Sequence, residues 1–270
     1  MFTDEFLSGN PVAVVHGADG LTTDEMAAFA RWTNLSETTF LLAPTDPAAD
    51  YRLRIFTTTG ELPFAGHPTL GSARAWLAGG GRPRTAGIVV QECGAGLVRV
   101  RCAGQRLAFA APPLRRGGPV PPSTVPTLAA ALRVEPDEIV AARWAHNGPE
   151  WVAVRLASAE AVLALEPDPA AFGEHRDIGV VGAYPPGGEI AFEVRAFVRD
   201  GGMLWEDPVT GSLNAAIAQW LIPAGVAPER YVASQGTRMG RRGRVHVERS
   251  GEDIWVGGDT IVGITGSVAL

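Results

Sequence analysis

Cysteine is nearly absent from this chain, with two residues, Cys93 and Cys102, in 270. They flank the turn Gly94-Ala95-Gly96 of an expected hairpin. With Cys93 at one end of that hairpin, Cys102 lies several residues along the other strand. At about 3.3 Å per residue the gap is too wide for a disulfide. A reduced, cytoplasmic protein is the expectation. Long apolar runs are missing too: each is broken by Gly, Pro or charge, so neither a membrane span nor a secretory signal is expected. The five histidines are scattered, without a His-x-x-x-His spacing, and no metal is expected. No Gly-x-Gly-x-x-Gly opens a helix after a strand, which speaks against a dinucleotide enzyme. Positive charge is in deficit at a formal net of −6, so nucleic acid is not an expected partner. The single dense basic group, Arg238, Arg241, Arg242 and Arg244, reads either as a solvated turn or as a wall drawing anionic substrates.

What is present is apolar material, 46% against 19% charged, enough for a globular protein with two cores. Residues 2–5 read as the end of a strand, and residues 11–15 as another. Thr22 with Glu25 forms a capping box, ahead of a helix facing inward through Met26, Phe29, Ala30 and Thr33. Strands are expected at 40–43, 51–55, 88–92, 97–102 and 106–110, with a helix over 68–76 that stops at Gly79-Gly80-Gly81. Residues 112–126 hold six prolines and an adjacent glycine pair, and read as a linker between lobes. Beyond it the pattern predicts helices at 127–134 and 158–165 and strands at 151–156, 179–184 and 190–197. A helix over 208–222 is apolar on nearly all sides and therefore expected to be buried, Trp220 included. Strands at 230–233, 244–247, 254–257 and 260–265 end the chain. The domains expected are an N-terminal lobe over 1–113, a linker over 114–126 and a C-terminal lobe over 127–270. The chain end is left free to return to the first lobe.

Two stretches look alike. Glu61-Leu62-Pro63-Phe64-Ala65-Gly66-His67-Pro68-Thr69-Leu70-Gly71-Ser72 turns sharply into a helix, with His67 pushed out of helical geometry and Pro68 first inside it. Glu206-Asp207-Pro208-Val209-Thr210-Gly211-Ser212-Leu213 repeats the grammar, with Asp207 as an ideal N-cap before a proline-started helix. Small residues at both starts suggest close approach to the backbone, and both helix ends favour an anion. Matching Pro68 with Pro208 predicts two related halves, with both helix starts directed at one cleft.

These two stretches resemble the signatures of the PhzF-like phenazine-biosynthesis family. Gly9-Asn10-Pro11-Val12-Ala13-Val14-Val15, Asn34-Leu35-Ser36-Glu37-Thr38-Thr39-Phe40 and Gln235-Gly236 with Met239-Gly240-Arg241 resemble three more, in family order along the whole chain. The resemblance implies an α+β fold shared with diaminopimelate epimerase: two pseudo-symmetric lobes, each a curled mixed sheet around a central helix, with the site between them. Family members usually carry a few more residues before Phe2, so a shortened start is expected.

Glu37, at a strand mouth, reads from the residues alone as a solvated carboxylate or, if buried, as a group able to carry a proton near neutral pH. His67 either bonds a neighbouring backbone group or orients a substrate carboxylate and relays a proton. The resemblance makes Glu37 the general acid/base and gives His67, Asp207 and Ser212 proton-handling and substrate-contacting roles. Glu37, His67 and Asp207 are thus the expected catalytic residues. Ser212, with Gly66 and Gly211 through their backbones, is expected to bind substrate, while Asn10 and Gln235 stand between pocket and turn-forming roles. The resemblance implies no metal and no organic cofactor. Epimerases of this fold use two opposed cysteines at the helix starts; here those places hold Ala65 and Thr210, which disfavours thiol chemistry. Gly60 replaces an Asn common in relatives and bears on substrate identity. The expected function is a cofactor-independent isomerase moving a proton on a small anionic, carboxylated metabolite; a homodimer is compatible with it. The alternative is a non-catalytic small-molecule binding protein that keeps the pocket.

Overall fold

The structure, a computed structural model, describes residues 1–173, 177–200 and 203–270. The chain divides into two compact units, Met1–Ala110 with Gly257–Leu270 and Ala111–Val256. The last strand, Asp253–Asp259, straddles that boundary in sequence. No helix among the described residues is long and apolar enough to cross a membrane.

The first unit contains β1 (Ala13–Val15), α1 (Thr23–Thr33), β2 (Thr38–Leu42), β3 (Tyr51–Phe56), β4 (Glu61–Leu62), α2 (Gly66–Ala78), β5 (Ile88–Cys93), β6 (Gly96–Ala103) and β7 (Arg106–Ala110). β1 runs parallel to β2, β2 antiparallel to β3, and β3 parallel to β5, which continues as a meander through β6 and β7. The short β4 pairs back onto β3. The predicted capping box is there: Thr22 Oγ1 accepts from Glu25 N–H and Thr22 N–H donates to the Glu25 carboxylate. α1 buries Met26 and Ala30 beside Phe40 and Phe56, whose rings meet edge to face at 5.6 Å. α2 lies against β1, β2, β5 and β7 and is buried from Gly66 to Ala73. Gly71 is required there, because a Cβ at that position would stand 2.3 Å from Val12 Cγ1.

The second unit contains α3 (Val125–Leu132), β8 (Ala141–His146), β9 (Glu150–Arg155), α4 (Ala159–Ala164), β10 (Asp177–Ala183), β11 (Phe192–Asp200), β12 (Met203–Asp207), α5 (Gly211–Leu221), β13 (Arg230–Gln235) and β14 (Gly243–Ser250). The order is β8-β9-β10-β11-β13-β14, with β12 folded back on β11. Alternation along β10 divides the packing. Ile178 and Val180 face a core with Leu128, Leu132, Val162, Phe172 and Phe197, while Gly179 on the other side leaves room for Leu213 of α5. Each such buried side chain contributes about 1.5–3 kcal/mol over exposure.

Four expectations fail. Residues 114–126 are not a linker outside the units: Val120 N–H donates to Ala142 O, Arg115 N–H to His146 O, and Val120 enters the core. A proline-rich segment can line a sheet edge through its remaining donors, and composition alone does not show this. Trp220 is half-buried, with Arg143 5.7 Å from its ring, because α5 turns that face out of the core near its end. Residues 260–265 form no strand, and from Val262 onward the chain is exposed. Residues 2–5 form none either, although Thr3 N–H donates to Asp259 O.

The registers reveal an internal repeat. Each unit runs strand, helix, strand, strand, short strand, buried helix, strand, strand, from β1 to β6 and from β9 to β14. Phe56 pairs with Glu61 and Ile55 with Leu62 in the first; Phe197 pairs with Glu206 and Ala196 with Asp207 in the second. Arg54 binds Glu61 through Nε and Nη2, and Arg195 binds Glu206 likewise. Each arginine also lies over the phenylalanine two residues on, at 5.0 and 4.8 Å. Pro63 therefore corresponds to Pro208, which corrects the match of Pro68 with Pro208.

Candidate active site

Both helix starts are set by the same device. A bidentate arginine–glutamate pair clamps the short strand, and the chain then turns through a proline into the buried helix. In the first unit the turn passes through Phe64, whose ring meets Phe109 edge to face at 5.5 Å. Ala65 is the N-cap, extended at φ −149°, with no side chain to cap the helix and no acid in the first turn. The N–H groups of Gly66 and His67 thus have no intrahelical acceptor. His67 is inside the helix as its second residue and Pro68 is the third, not the first. A proline is tolerated there because that position's N–H has no intrahelical role.

His67 points its ring at two residues from elsewhere in the unit. Nδ1 lies 3.3 Å from Asn10 Nδ2, and Nε2 lies 3.0 Å from Glu37 Oε2. An amide NH2 only donates, so Nδ1 accepts, and the proton of the neutral ring resides on Nε2, the nitrogen nearer Glu37. The two side chains are 5% and 15% exposed. Although they lie 3.0 Å apart, His67 Nε2 and Glu37 Oε2 do not meet in hydrogen-bond geometry, and neither has a hydrogen-bond partner among the described residues. Glu37 immediately precedes β2, whose place is fixed by pairing on both sides and by the contact of Thr33 Oγ1 with Thr38 Oγ1 at 3.0 Å. Asn10 is wholly buried and supports the histidine ring.

The second unit fills the same frame differently. Asp207 ends β12 and is not the N-cap; that position belongs to Thr210, whose side chain does not cap the helix either. The local Asp-Pro signal is overridden by a residue from β13. Gln235 Oε1 accepts from Thr210 N–H at 2.9 Å and from Asn214 Nδ2 at 2.8 Å. Its Nε2 donates to Asp207 O and Thr210 Oγ1, at 3.1 and 2.8 Å. Thr210 Oγ1 in turn meets Asp207 Oδ2 at 2.6 Å. Gly236, which follows, needs to be glycine: φ is +80°, and a Cβ would stand 2.6 Å from Pro208 O.

Ser212, second in its helix like His67, accepts at Oγ from Trp151 Nε1, 3.1 Å away. An indole only donates, so the hydroxyl proton of Ser212 is left for another acceptor. Asn147 Nδ2 holds the Ser212 carbonyl at 2.7 Å. Trp151 and Asn147 were not foreseen; Trp151 reads in sequence only as the apolar start of a strand. Gly66 and Gly211 are both buried first residues of their helices.

Cys93 and Cys102 are free thiols on β5 and β6, and burial pushes both up, away from the thiolate. All 23 cationic side chains are arginine, so no lysine amine is present to form a Schiff base. No group of three metal-ligating side chains gathers among the described residues.

A family model of phenazine biosynthesis-like proteins, PhzC-PhzF, matches residues 1–268. The chain belongs to this family. Its PhzC-PhzF relatives include trans-2,3-dihydro-3-hydroxyanthranilate isomerase of Pseudomonas aeruginosa, 35% identical over 93% of this chain and 88% of that protein. A PhzF-family protein of Bacillus anthracis superposes with a TM-score of 0.80 at 22% identity, covering 96% of this chain and 93% of that one. A probable proline racemase from Agrobacterium radiobacter superposes at 0.54 with 13% identity, over 88% and 78% of the two chains. The fold is α+β and diaminopimelate epimerase-like, and this PhzC-PhzF chain is an isomerase.

Proposed function

We propose that the chain is a cofactor-independent isomerase that moves a proton on a small carboxylated metabolite by general acid/base catalysis. The observation that carries this reading is the close, mostly buried pair of Glu37 and His67, whose facing atoms have no hydrogen-bond partner among the described residues. Ionised Glu37 takes a proton from a substrate carbon and returns it to another position, so the protein ends as it began. His67, with Nε2 3.0 Å from Glu37 Oε2, steadies the charge of that carboxylate. Asp207 is the second proton-handling group. The N–H groups of Gly66 and Gly211 and the hydroxyl of Ser212 hold the substrate's negative charge, aided by two helix dipoles whose first turns carry no acid of their own.

The Pseudomonas aeruginosa relative carries the name of an isomerase of a hydroxyanthranilate derivative, which is a carboxylated compound. A small carboxylate is accordingly the substrate class proposed here. The test is a panel of such acids, beginning with trans-2,3-dihydro-3-hydroxyanthranilate, incubated with the enzyme in deuterated water. An isomerase incorporates solvent deuterium at carbon in at least one of them. Tight binding without any exchange would instead identify a binding protein.

A further inference from the structure

The hydrogen bonds around Gln235 can run in only one direction. Its Oε1 faces the Thr210 N–H and the Asn214 side-chain nitrogen. A backbone N–H only donates, and Asn214 presents nitrogen because the same atom bonds Thr210 O at 2.9 Å. Turning the Gln235 amide over would set NH2 against two donors, so Nε2 is the atom that faces Asp207 O and Thr210 Oγ1. A hydroxyl that accepts from Gln235 has its own proton left for Asp207 Oδ2, 2.6 Å away. The order is therefore Gln235 Nε2–H to Thr210 Oγ1, and Thr210 Oγ1–H to Asp207 Oδ2.

We propose that Gln235 and Thr210 are positioning residues which hold Asp207 as a hydrogen-bond acceptor, and hence ionised, in the isomerase. The inference rests on the reading of Asp207 as a proton-handling group and assigns its resting state. A donated hydrogen bond favours the carboxylate over the acid. Thr210 stands where the first unit has Ala65, so the device belongs to the second helix start alone. Among the described residues, the charged groups on the strands around Asp207 include Arg195 and Glu206, bound to each other on β11 and β12, Glu193 and Arg199 on β11, Arg230 on β13, and His246, Glu248 and Arg249 on β14. Arg241 follows β13 and Arg244 lies on β14, while α5 carries no charge. All of these stay in place in the variants below.

The test is a 13C NMR titration of the Asp207 side-chain carboxyl in the ligand-free, full-length protein. Thr210→Val removes the donor, and Gln235→Glu turns the Thr210 hydroxyl toward the new carboxylate. Both should move the Asp207 midpoint up by about one pH unit or more, and Thr210→Ser should restore it. Thr210→Ala is the smaller replacement should valine prevent folding. A midpoint unchanged in Thr210→Val or Thr210→Ala overturns the proposal. The acid limb of the rate profile separates the two claims. A moved NMR midpoint with an unmoved limb supports the relay and removes Asp207 from the proton transfer.

Discussion

The two helix starts are built on one frame and finished to opposite ends. Aligned by strand register, Leu62 corresponds to Asp207, Ala65 to Thr210 and His67 to Ser212, after arginine–glutamate clamps of the same geometry. The first start ends in two titratable groups, His67 and Glu37, whose facing atoms have no hydrogen-bond partner among the described residues. At the second start, Gln235 and Trp151 commit the polar atoms of Thr210 and Ser212. A proton carrier needs a group whose charge can change, and a satisfied network resists such change. The difference is consistent with the proposal that Glu37 at the first start carries the proton, while Asp207 at the second, held by Thr210, serves as the second proton-handling group.

Giving the first start the second's residue is the strongest way to break that contrast. His67→Ser should lower turnover by a factor on the order of 10²–10⁴ while leaving the fold intact, judged by kcat beside an unchanged melting curve. Equal turnover would mean that the helix frame alone suffices. Next in size is the packing of the second helix, whose third residue, Leu213, stands where the first has Pro68. Leu213→Ala should cost about 2–5 kcal/mol in urea unfolding. Trp220→Ala should cost less, because Trp220 is half-buried; a larger loss there would reverse this account of the helix face.

Ser212→Ala removes one oriented donor and should weaken substrate binding about tenfold, with kcat changed far less, the scale of one hydrogen bond to a charged group. A collapse of kcat with normal binding would give Ser212 a part in the proton transfer itself. The smallest effect concerns Glu193, which has Arg52 as its counterpart by register. Glu193 is fully buried, and burial raises its carboxyl, against weaker opposing bonds from Thr237, Tyr184 and Ser234. The folded state thus binds this proton more tightly than the unfolded chain does. Its contribution is greatest below the ordinary carboxylate range and is lost as pH rises through the raised folded value. Glu193→Gln should flatten that decline in a series of urea midpoints; an unchanged slope would assign it to other groups. Tyr184, which donates to Glu193 and is itself pushed up to about 12 chiefly by burial, stays neutral across that series.

Much of this was legible in the residues, and the failures share a cause. Alternation and capping placed most strands and α1, and the family motifs pointed to Glu37 and His67, whose proximity is a contact across 30 positions that no local pattern shows. Local signals misled where a distant partner overrode them. Asp207 before Pro208 reads as an N-cap until Gln235 takes the Thr210 N–H. Pro68 and Pro208 look equivalent until the pairing of β4 and β12 shows that Pro63 is the match. The short clamp strands themselves fell below what alternation can detect. Proline content hid the edge pairing of residues 114–126 in the same way.

The central claim is that Glu37 carries the proton. Glu37→Gln keeps the size of the side chain and can still meet His67, but it cannot cycle a proton. The decisive measurement is deuterium incorporation into the identified substrate by wild type and Glu37→Gln, with calorimetric binding run in parallel. The account predicts binding within a few-fold of wild type and exchange slower by a factor on the order of 10²–10⁴. Exchange at the wild-type rate in Glu37→Gln would contradict it and transfer the role to Asp207.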